Sequence, residues 1–138
     1  MESVSYTITN KTEQLEKLQQ FLEEVSGSWL LKPGLVFELN LILEEYITNL
    51  INYGYNDEQI HEIEIEIIKE DEHLKLIVTD DAGPFDLTET PENTEIEKPV
   101  EERRIGGLGI HFIKTLADKI EYQSNKGRNR LVIIKPLT

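Results

Sequence analysis

The sequence predicts an α+β two-layer sandwich, in which three helices cover one face of a mostly antiparallel, mixed sheet. Residues 62–67 alternate Glu with Ile, which is the period-two pattern of a strand with one buried face. Two longer segments, 12–26 and 35–53, carry apolar residues at helical spacing. The strands come in hairpins, and there is no GxxxxGK[ST] or strand-linked GxGxxG, which argues against the parallel nucleotide-binding folds.

The predicted elements follow the order β α α β β α β β. Punctuating residues set their limits, with Pro33, Gly34 and Gly54 as breaks and a Gly-containing turn at 125–129. We expect a strand at 3–9, a helix from Asn10 or Thr12 to about Ser26, a break at 27–34, a helix from about Leu35 to Tyr53, strands at 61–69 and 73–79, a helix from Leu108 or Gly109 to about Asp118, and strands at 119–124 and 130–136.

Length and composition narrow the class of protein. The 138 residues suit a single domain, 1–138, and the formal charge of −13 disfavours direct binding to nucleic acid. The absence of cysteine excludes disulfides and thiolate metal sites. No apolar run is long enough to span a bilayer, and the N-terminus lacks the features of a secretory signal. A cytoplasmic protein is therefore expected.

The first candidate motif is Glu45-x3-Asn49-x3-Tyr53 on the second helix. Residues four apart lie on one side of a helix, so the three side chains are expected to form a ridge. Asparagine is a mediocre helix former, and its amide oxygen suits Mg²⁺. Glu45, one turn earlier, could take a proton from an attacking hydroxyl. An exposed polar helix face is the alternative reading of the same residues.

Two further motifs flank a long polar segment, 81–104, which reads as a functional lid or as a disordered loop. VTDDAGPFD ends a strand, where an aspartate followed by small residues could bind the amino group of a planar ring; an ordinary turn is the alternative. Gly106 to His111 opens a helix, where backbone amides and the helix dipole attract phosphate, with Arg103 and Arg104 adjacent. A glycine-rich hinge without a ligand is the alternative here.

Taken together and in this order, the three motifs resemble the GHKL (Bergerat-fold) ATP-binding superfamily, and within it the RsbW-type anti-sigma-factor serine/threonine kinases. The helix motif is similar to the family's N box, DDAGPFD to its first glycine box, and GGLGIHFIKTLAD to its second. The tail IEYQSNKGRNRLVIIK looks like the family's final hairpin. The resemblance runs from about residue 3 to the end.

The resemblance implies a role for each matching residue. Glu45 corresponds to the general base, Asn49 to the Mg²⁺ ligand and Asp80 to the adenine-binding carboxylate. Literal D-x-G spacing selects Asp81 instead, so Asp81 stays open as the alternative. Tyr53 stands where many relatives have His, and Ala82 where the family has Gly. Segment 83–106 corresponds to the ATP lid, and the nucleotide-binding set is Asn49, Asp80, Asp81, Ala82, Gly83, Arg104, Gly106, Gly107, Leu108 and Gly109.

The implied activity is phosphorylation of a STAS-type anti-anti-sigma partner by Mg²⁺-ATP, with a sigma factor as competing ligand and a homodimer as the expected assembly. One alternative is a nucleotide-gated sequestering protein without significant kinase activity. Another is the ATPase domain of a two-component histidine kinase, which the PFD ending and the lack of a preceding phosphoacceptor helix disfavour. The identities of the sigma factor, the partner and the signal do not follow from the sequence.

Overall fold

A computed structural model of the chain describes residues 1–85 and 107–137, with only the backbone described at 107–110. It contains one five-stranded sheet, three α-helices and one π-helical turn, which confirms the predicted α+β fold. The elements are β1 (Glu2–Thr9), α1 (Gln14–Trp29), α2 (Pro33–Asn49), the π-helical turn (Leu50–Gly54), β2 (Glu62–Lys69), β3 (His73–Asp80), α3 (Gly107–Leu116), β4 (Lys119–Asn125) and β5 (Arg128–Pro136).

The strand order is β1-β2-β3-β5-β4, and each neighbouring pair in the described sheet is antiparallel. The predicted mixed sheet thus has no parallel pair among these strands. Both predicted hairpins are present, but β5 lies between β3 and β4. That insertion sets the end of β3 beside the start of β5, with Asp80 opposite Asn129.

One hydrophobic core joins the three helices to one face of the sheet. The alternating isoleucines of β2 (Ile63, Ile65 and Ile67) are fully buried, while Glu62 and Glu64 are exposed and Glu66 is partly exposed. Helix α1 contributes Leu18, Leu22, Val25 and Trp29 to the same cluster, α2 contributes Leu39, Ile42, Leu43, Tyr46 and Ile47, and α3 contributes Ile113. Burial of this apolar surface is the main stabilising term, and it explains the period-two and helical patterns in the sequence.

The first helix differs from its prediction at both ends. Neither Asn10 nor Thr12 caps it: the helix has no side-chain cap, and the Asn10 carboxamide oxygen instead accepts a hydrogen bond from the His61 N–H at 2.9 Å. The predicted break at 27–34 begins too early, because the helix continues to Trp29. Burial of Trp29 extends the apolar face by another turn and offsets the roughly 1 kcal/mol cost of glycine in a helix.

The second helix changes its winding at the functional end. The sequence predicted an α-helix to Tyr53, but the α-helix ends at Asn49 and a π-helical turn follows over Leu50–Gly54. Gly54 is the stop that was predicted. Because π-helical bonds span five residues rather than four, Tyr53 no longer sits one α-helical turn beyond Asn49. The predicted ridge is therefore retained for Glu45 and Asn49 and altered at Tyr53.

A buried lysine anchors the third helix. The Lys135 ammonium on β5 donates to the Leu116 carbonyl oxygen at 2.6 Å and is paired with the carboxylate of Glu38 on α2. A cation at the last carbonyls of a helix is favourable because the helix dipole is negative there. This contact fixes the C-terminal end of α3, whereas the glycines lie at its N-terminal end.

No helix in the described part of the chain is both long and apolar enough to cross a membrane.

Candidate functional site

The candidate site begins where β3 and β5 lie side by side at one end of the sheet. The side-chain amide of Asn129 donates to Asp80 Oδ1 and to the Ala82 carbonyl oxygen, both at 2.8 Å. The Ala82 N–H donates to the same Asp80 oxygen at 2.9 Å. Ser124 Oγ in turn donates to Asn129 Oδ1 at 2.7 Å. Since Asp80 and Asn129 are buried, this network fixes the orientation of the Asp80 carboxylate.

The second oxygen of Asp80 has no such partner. Asp80 Oδ2 is buried and accepts no hydrogen bond from any described residue. Burial raises the pKa of the carboxyl above its ordinary value, and the bonds from Asn129 and Ala82 act in the opposite direction. An acceptor left open in this way carries a desolvation cost, which a ligand N–H group would remove.

Each of the three residues that follow Asp80 makes a different contact. The Asp81 carboxylate lies 3.1 Å from His61 Nδ1, near the surface. Ala82 is buried, and a methyl group added to Gly54 would come within 2.9 Å of the Ala82 methyl. The Gly83 N–H donates to the Gly54 carbonyl oxygen at 2.8 Å. Of the two aspartates left open by the sequence, Asp80 therefore has the buried open acceptor, and Asp81 has an imidazole partner.

Helix α2 and its π-helical turn form the opposite wall. Asn49 and Tyr53 both line the cavity described below, and Tyr53 is 58% exposed. Glu45 lies one helical turn before Asn49 and is partly buried. Burial raises the pKa of the Glu45 carboxyl, and the charge of neighbouring Glu44 raises it further. A carboxylate with a raised pKa accepts a proton more readily at neutral pH.

Between these walls is a cavity of about 230 Å³. That volume is below the range of roughly 300–1,000 Å³ for complete small-molecule sites, so the described residues form a cavity that is too small for a whole nucleotide. Its mouth includes Phe85, whose N–H donates to the Tyr122 hydroxyl oxygen at 2.9 Å. The lining residues are Tyr46, Asn49, Leu50, Tyr53, Gly54, Gly83, Pro84, Phe85, Tyr122 and Asn129.

The second glycine motif is described only in part. Gly107, Leu108 and Gly109 form the first turn of α3, as the sequence predicted within one or two residues. Arg104, Gly106 and most of the predicted lid, 83–106, lie outside the described residues. Their predicted contacts with phosphate stay predictions.

Sequence reasoning missed three residues of the site: Tyr122, Ser124 and Asn129. All three come from the final hairpin, which was read only as a pair of strands and a family tail. Their involvement depends on β5 pairing with β3, a contact between residues 49 positions apart. The GRNR run carries no local signal of this role, because neither the burial of Asn129 nor its place beside Asp80 follows from the residues themselves.

This arrangement fits a purine nucleotide. Asp80 does not itself line the cavity, but it is bonded to the cavity residue Asn129 and has a fixed oxygen without a described partner, which could accept from an exocyclic amino group. The cavity walls are mainly apolar and aromatic, as a base requires. Asn49 offers an amide oxygen of the kind that Mg²⁺ binds together with phosphate oxygens. Fold and site together fit a nucleotide-binding α+β domain.

Similarity to known proteins identifies the family. The family model for the histidine kinase-like ATPase domain matches residues 8–135 of the sequence, and the chain belongs to that family. The histidine kinase domain of a blue-light-activated histidine kinase from Erythrobacter litoralis has a similar fold, with a TM-score of 0.54 and 15% identity over 89% of this chain and 59% of that one.

Curated relatives include serine-protein kinases named RsbW, which confirms the predicted resemblance. The chain is 32% identical over 93 residues to RsbW of Oceanobacillus iheyensis, covering 65% of this chain and 59% of the relative. RsbW of Bacillus pumilus is 29% identical over 105 residues, covering 70% and 65%. The chain thus matches about three-fifths of the length of these relatives.

Proposed function

We propose that this chain is a cytoplasmic anti-sigma regulator that binds Mg²⁺-ATP and phosphorylates a serine or threonine of a STAS-type anti-anti-sigma partner, with a sigma factor as the competing ligand. The observation that supports it most strongly is the open acceptor on buried Asp80, oriented by Asn129 beside an apolar cavity. Membership in the ATPase-domain family and similarity to the RsbW serine kinases support the choice of nucleotide and of reaction.

In this proposal each residue has one task. Asp80 accepts a hydrogen bond from the adenine amino group, and Tyr53 and Phe85 border the base. Asn49 supplies a ligand to Mg²⁺, which would neutralise phosphate charge when bound. Glu45 takes the proton from the attacking hydroxyl, a task that its raised pKa suits. The amides at the start of α3 approach the phosphates, and most of the acceleration comes from positioning and charge neutralisation.

The charge of the chain suits release of the product. Phosphorylation adds about −1.5 to −2 to the partner, and the chain already carries −13. We therefore propose that the phosphorylated partner dissociates more readily than the unmodified one. A homodimer is the assembly that we propose for the active protein, again from the resemblance to RsbW-type kinases.

The test is transfer of labelled γ-phosphate to a STAS-domain protein from the same genome, with Glu45→Gln compared to the wild-type chain. Loss of a general base lowers a rate by about 10²–10⁴, so transfer should nearly disappear while ATP affinity is retained. Glu24→Gln is the matched control, because Glu24 is an exposed glutamate on helix α1 and is not among the residues that line the cavity.

The outcomes separate the candidate functions. Transfer by Glu45→Gln at the wild-type rate would contradict the role of Glu45. ATP binding by the wild-type chain without transfer to any STAS protein would favour the sequestering protein, which uses the same pocket without the chemistry.

A further inference from the structure

The loop after α2 contains a histidine enclosed by two carboxylates. His61 Nε2 lies 2.8 Å from Asp57 Oδ1, and its Nδ1 lies 3.1 Å from Asp81 Oδ2. The His61 side chain is only 16% exposed. Tyr55 stacks on the ring, with centroids 4.3 Å apart and an interplanar angle of 21°. None of the proposed steps of phosphoryl transfer uses this cluster.

Both ring nitrogens can donate only when the imidazole is protonated. A neutral imidazole carries one N–H and one lone pair, so one of the two carboxylates would then face a lone pair. Asp57 and Asp81 both favour the charged ring, and their hydrogen bonds raise the pKa of His61 above its ordinary 6.5. The same contact lowers the pKa of Asp57.

The contact with Asp81 connects this cluster to the nucleotide pocket. Asp81 stands between Asp80, the open acceptor, and Ala82, whose N–H binds the other Asp80 oxygen. On the other side, Gly83 is bonded to Gly54, and both line the cavity. His61 thus contacts Asp81, and the residues on either side of Asp81 are bonded to the cavity residues Asn129 and Gly54.

The ring is itself held in place by its neighbours. The N–H of His61 donates to Asn10 Oδ1 at 2.9 Å, and its carbonyl oxygen accepts from the Asn10 N–H at 3.0 Å, which ties it to the end of β1. The Gln59 N–H donates to Asp57 Oδ1 at 3.0 Å. The described groups in contact with the ring are therefore Asp57 and Tyr55 from its own loop and Asp81 from the segment after β3, while uncharged Asn10, just after β1, contacts the His61 backbone.

We propose that His61 is a positioning residue for nucleotide binding: the protonated ring holds Asp81, and through it residues 81–83, in the geometry that the pocket requires. Loss of the proton releases one carboxylate and leaves Asp57 and Asp81 without a shared cation. ATP affinity is then highest below pH 6.5 and falls as pH rises through the raised pKa of His61. This inference rests on the proposed binding of ATP.

The experiment measures Mg²⁺-ATP affinity by calorimetry at pH 6.0 and pH 8.5 for the wild-type chain, His61→Gln and His73→Gln. His73 is the matched control because it also faces a carboxylate, Asp118 at 3.8 Å, but stands at the other end of β3. Ionisation of the nucleotide affects all three proteins equally, so only the differences between their profiles count.

We expect the wild-type chain and His73→Gln to lose about two- to fivefold more affinity between the two pH values than His61→Gln loses, which is the range for partly exposed ion pairs. Identical profiles for all three proteins, with binding intact, would overturn the inference and leave the proposed function standing. If ATP bound at neither pH 6.0 nor pH 8.5, the result would instead contradict the proposed function.

A second measurement keeps the inference testable without nucleotide. In the free protein, the amide resonances of Ala82 and Gly83 should titrate together with the ring of His61, at a midpoint above 6.5, and should lose that titration in His61→Gln. Amides that stay unchanged while the ring titrates would overturn the positioning role.

Discussion

The two ends of β3 carry similar residue types and have different surroundings. At the first end, His73 follows the acidic turn Glu70–Glu72, and its ring faces Asp118 at 3.8 Å with both side chains about half exposed. At the other end, about 23 Å away for a strand of this length, Asp80 is completely buried and bonded to Asn129. Among the described residues, only the second end has a buried carboxylate oxygen without a partner, and the cavity beside it has mainly apolar and aromatic walls, whereas the pocket at the first end is lined mostly by acidic residues.

The difference lies in which segments converge on each end. The first end is a hairpin turn whose carboxylates are exposed or partly exposed, so an ion pair contributes little there. At the second end, β5, the loop after α2, the π-helical turn and the segment 81–85 all meet. Acidic residues indicate a site only where neighbouring segments remove them from water, because only there does an unsatisfied oxygen favour a ligand.

Asp80→Asn should have the largest effect of the variants at the two ends of β3, and the effect should be on ATP affinity. Loss of a charged hydrogen bond costs about 1.5–3 kcal/mol, so we expect ATP affinity to fall about 10- to 100-fold by calorimetry. Asp71→Asn, in the exposed turn at the other end, should change affinity by less than about twofold. If Asp81→Asn lowered affinity and Asp80→Asn did not, the adenine-binding residue would be Asp81.

The Tm of Asp80→Asn shows whether the variant loses ATP affinity directly or through a loss of stability. Because the pKa of Asp80 is raised on folding, its ionised form opposes folding, and this contribution worsens as pH rises from 3.8 through the folded-state pKa. Removing the charge should therefore leave the Tm at pH 7 no lower than that of the wild-type chain. A large drop in Tm would mean that the variant lost affinity by misfolding.

Gly54→Ala should have the second largest effect, which is a loss of stability toward unfolding. The new methyl would lie 2.9 Å from the Ala82 methyl, and overpacking of this kind costs about 1–3 kcal/mol in denaturant unfolding. Ala82→Gly in the same chain should restore most of the loss. Gly27→Ala is the control, since nothing lies within 4 Å of its added methyl and alanine is the better helix former.

A failure of Ala82→Gly to rescue Gly54→Ala would show that the two residues do not share the same space. The family-like Gly at position 82 would then have to be judged by its effect on nucleotide affinity alone.

The sequence predicted the fold better than the site. The Glu–Ile alternation of β2 and the apolar spacing of α2 arise because one face of each element is buried. Burial of one face can be predicted from the polarity of the individual residues. The extension of α1 to Trp29 and the π-helical turn at Leu50–Gly54 were missed, because packing of a whole helix decides them and local propensity does not.

For the site, the family resemblance selected Asp80 and Asn49 and kept Asp81 as the fallback for Asp80. Burial and hydrogen bonding distinguish the two aspartates, and both depend on the register between β3 and β5. Asn129 and His61 escaped the sequence reasoning for the same reason: their partners are 49 and 20 positions away in the chain.

The most direct test of the central claim compares ATP with inosine triphosphate in calorimetric titrations of the wild-type chain. The two nucleotides differ at the position where adenine carries its amino group and hypoxanthine a carbonyl oxygen. If Asp80 Oδ2 accepts the amino N–H, ATP should bind about 10- to 100-fold more tightly, because a carbonyl would face the carboxylate without a proton between them. Equal affinities for the two nucleotides would contradict the account.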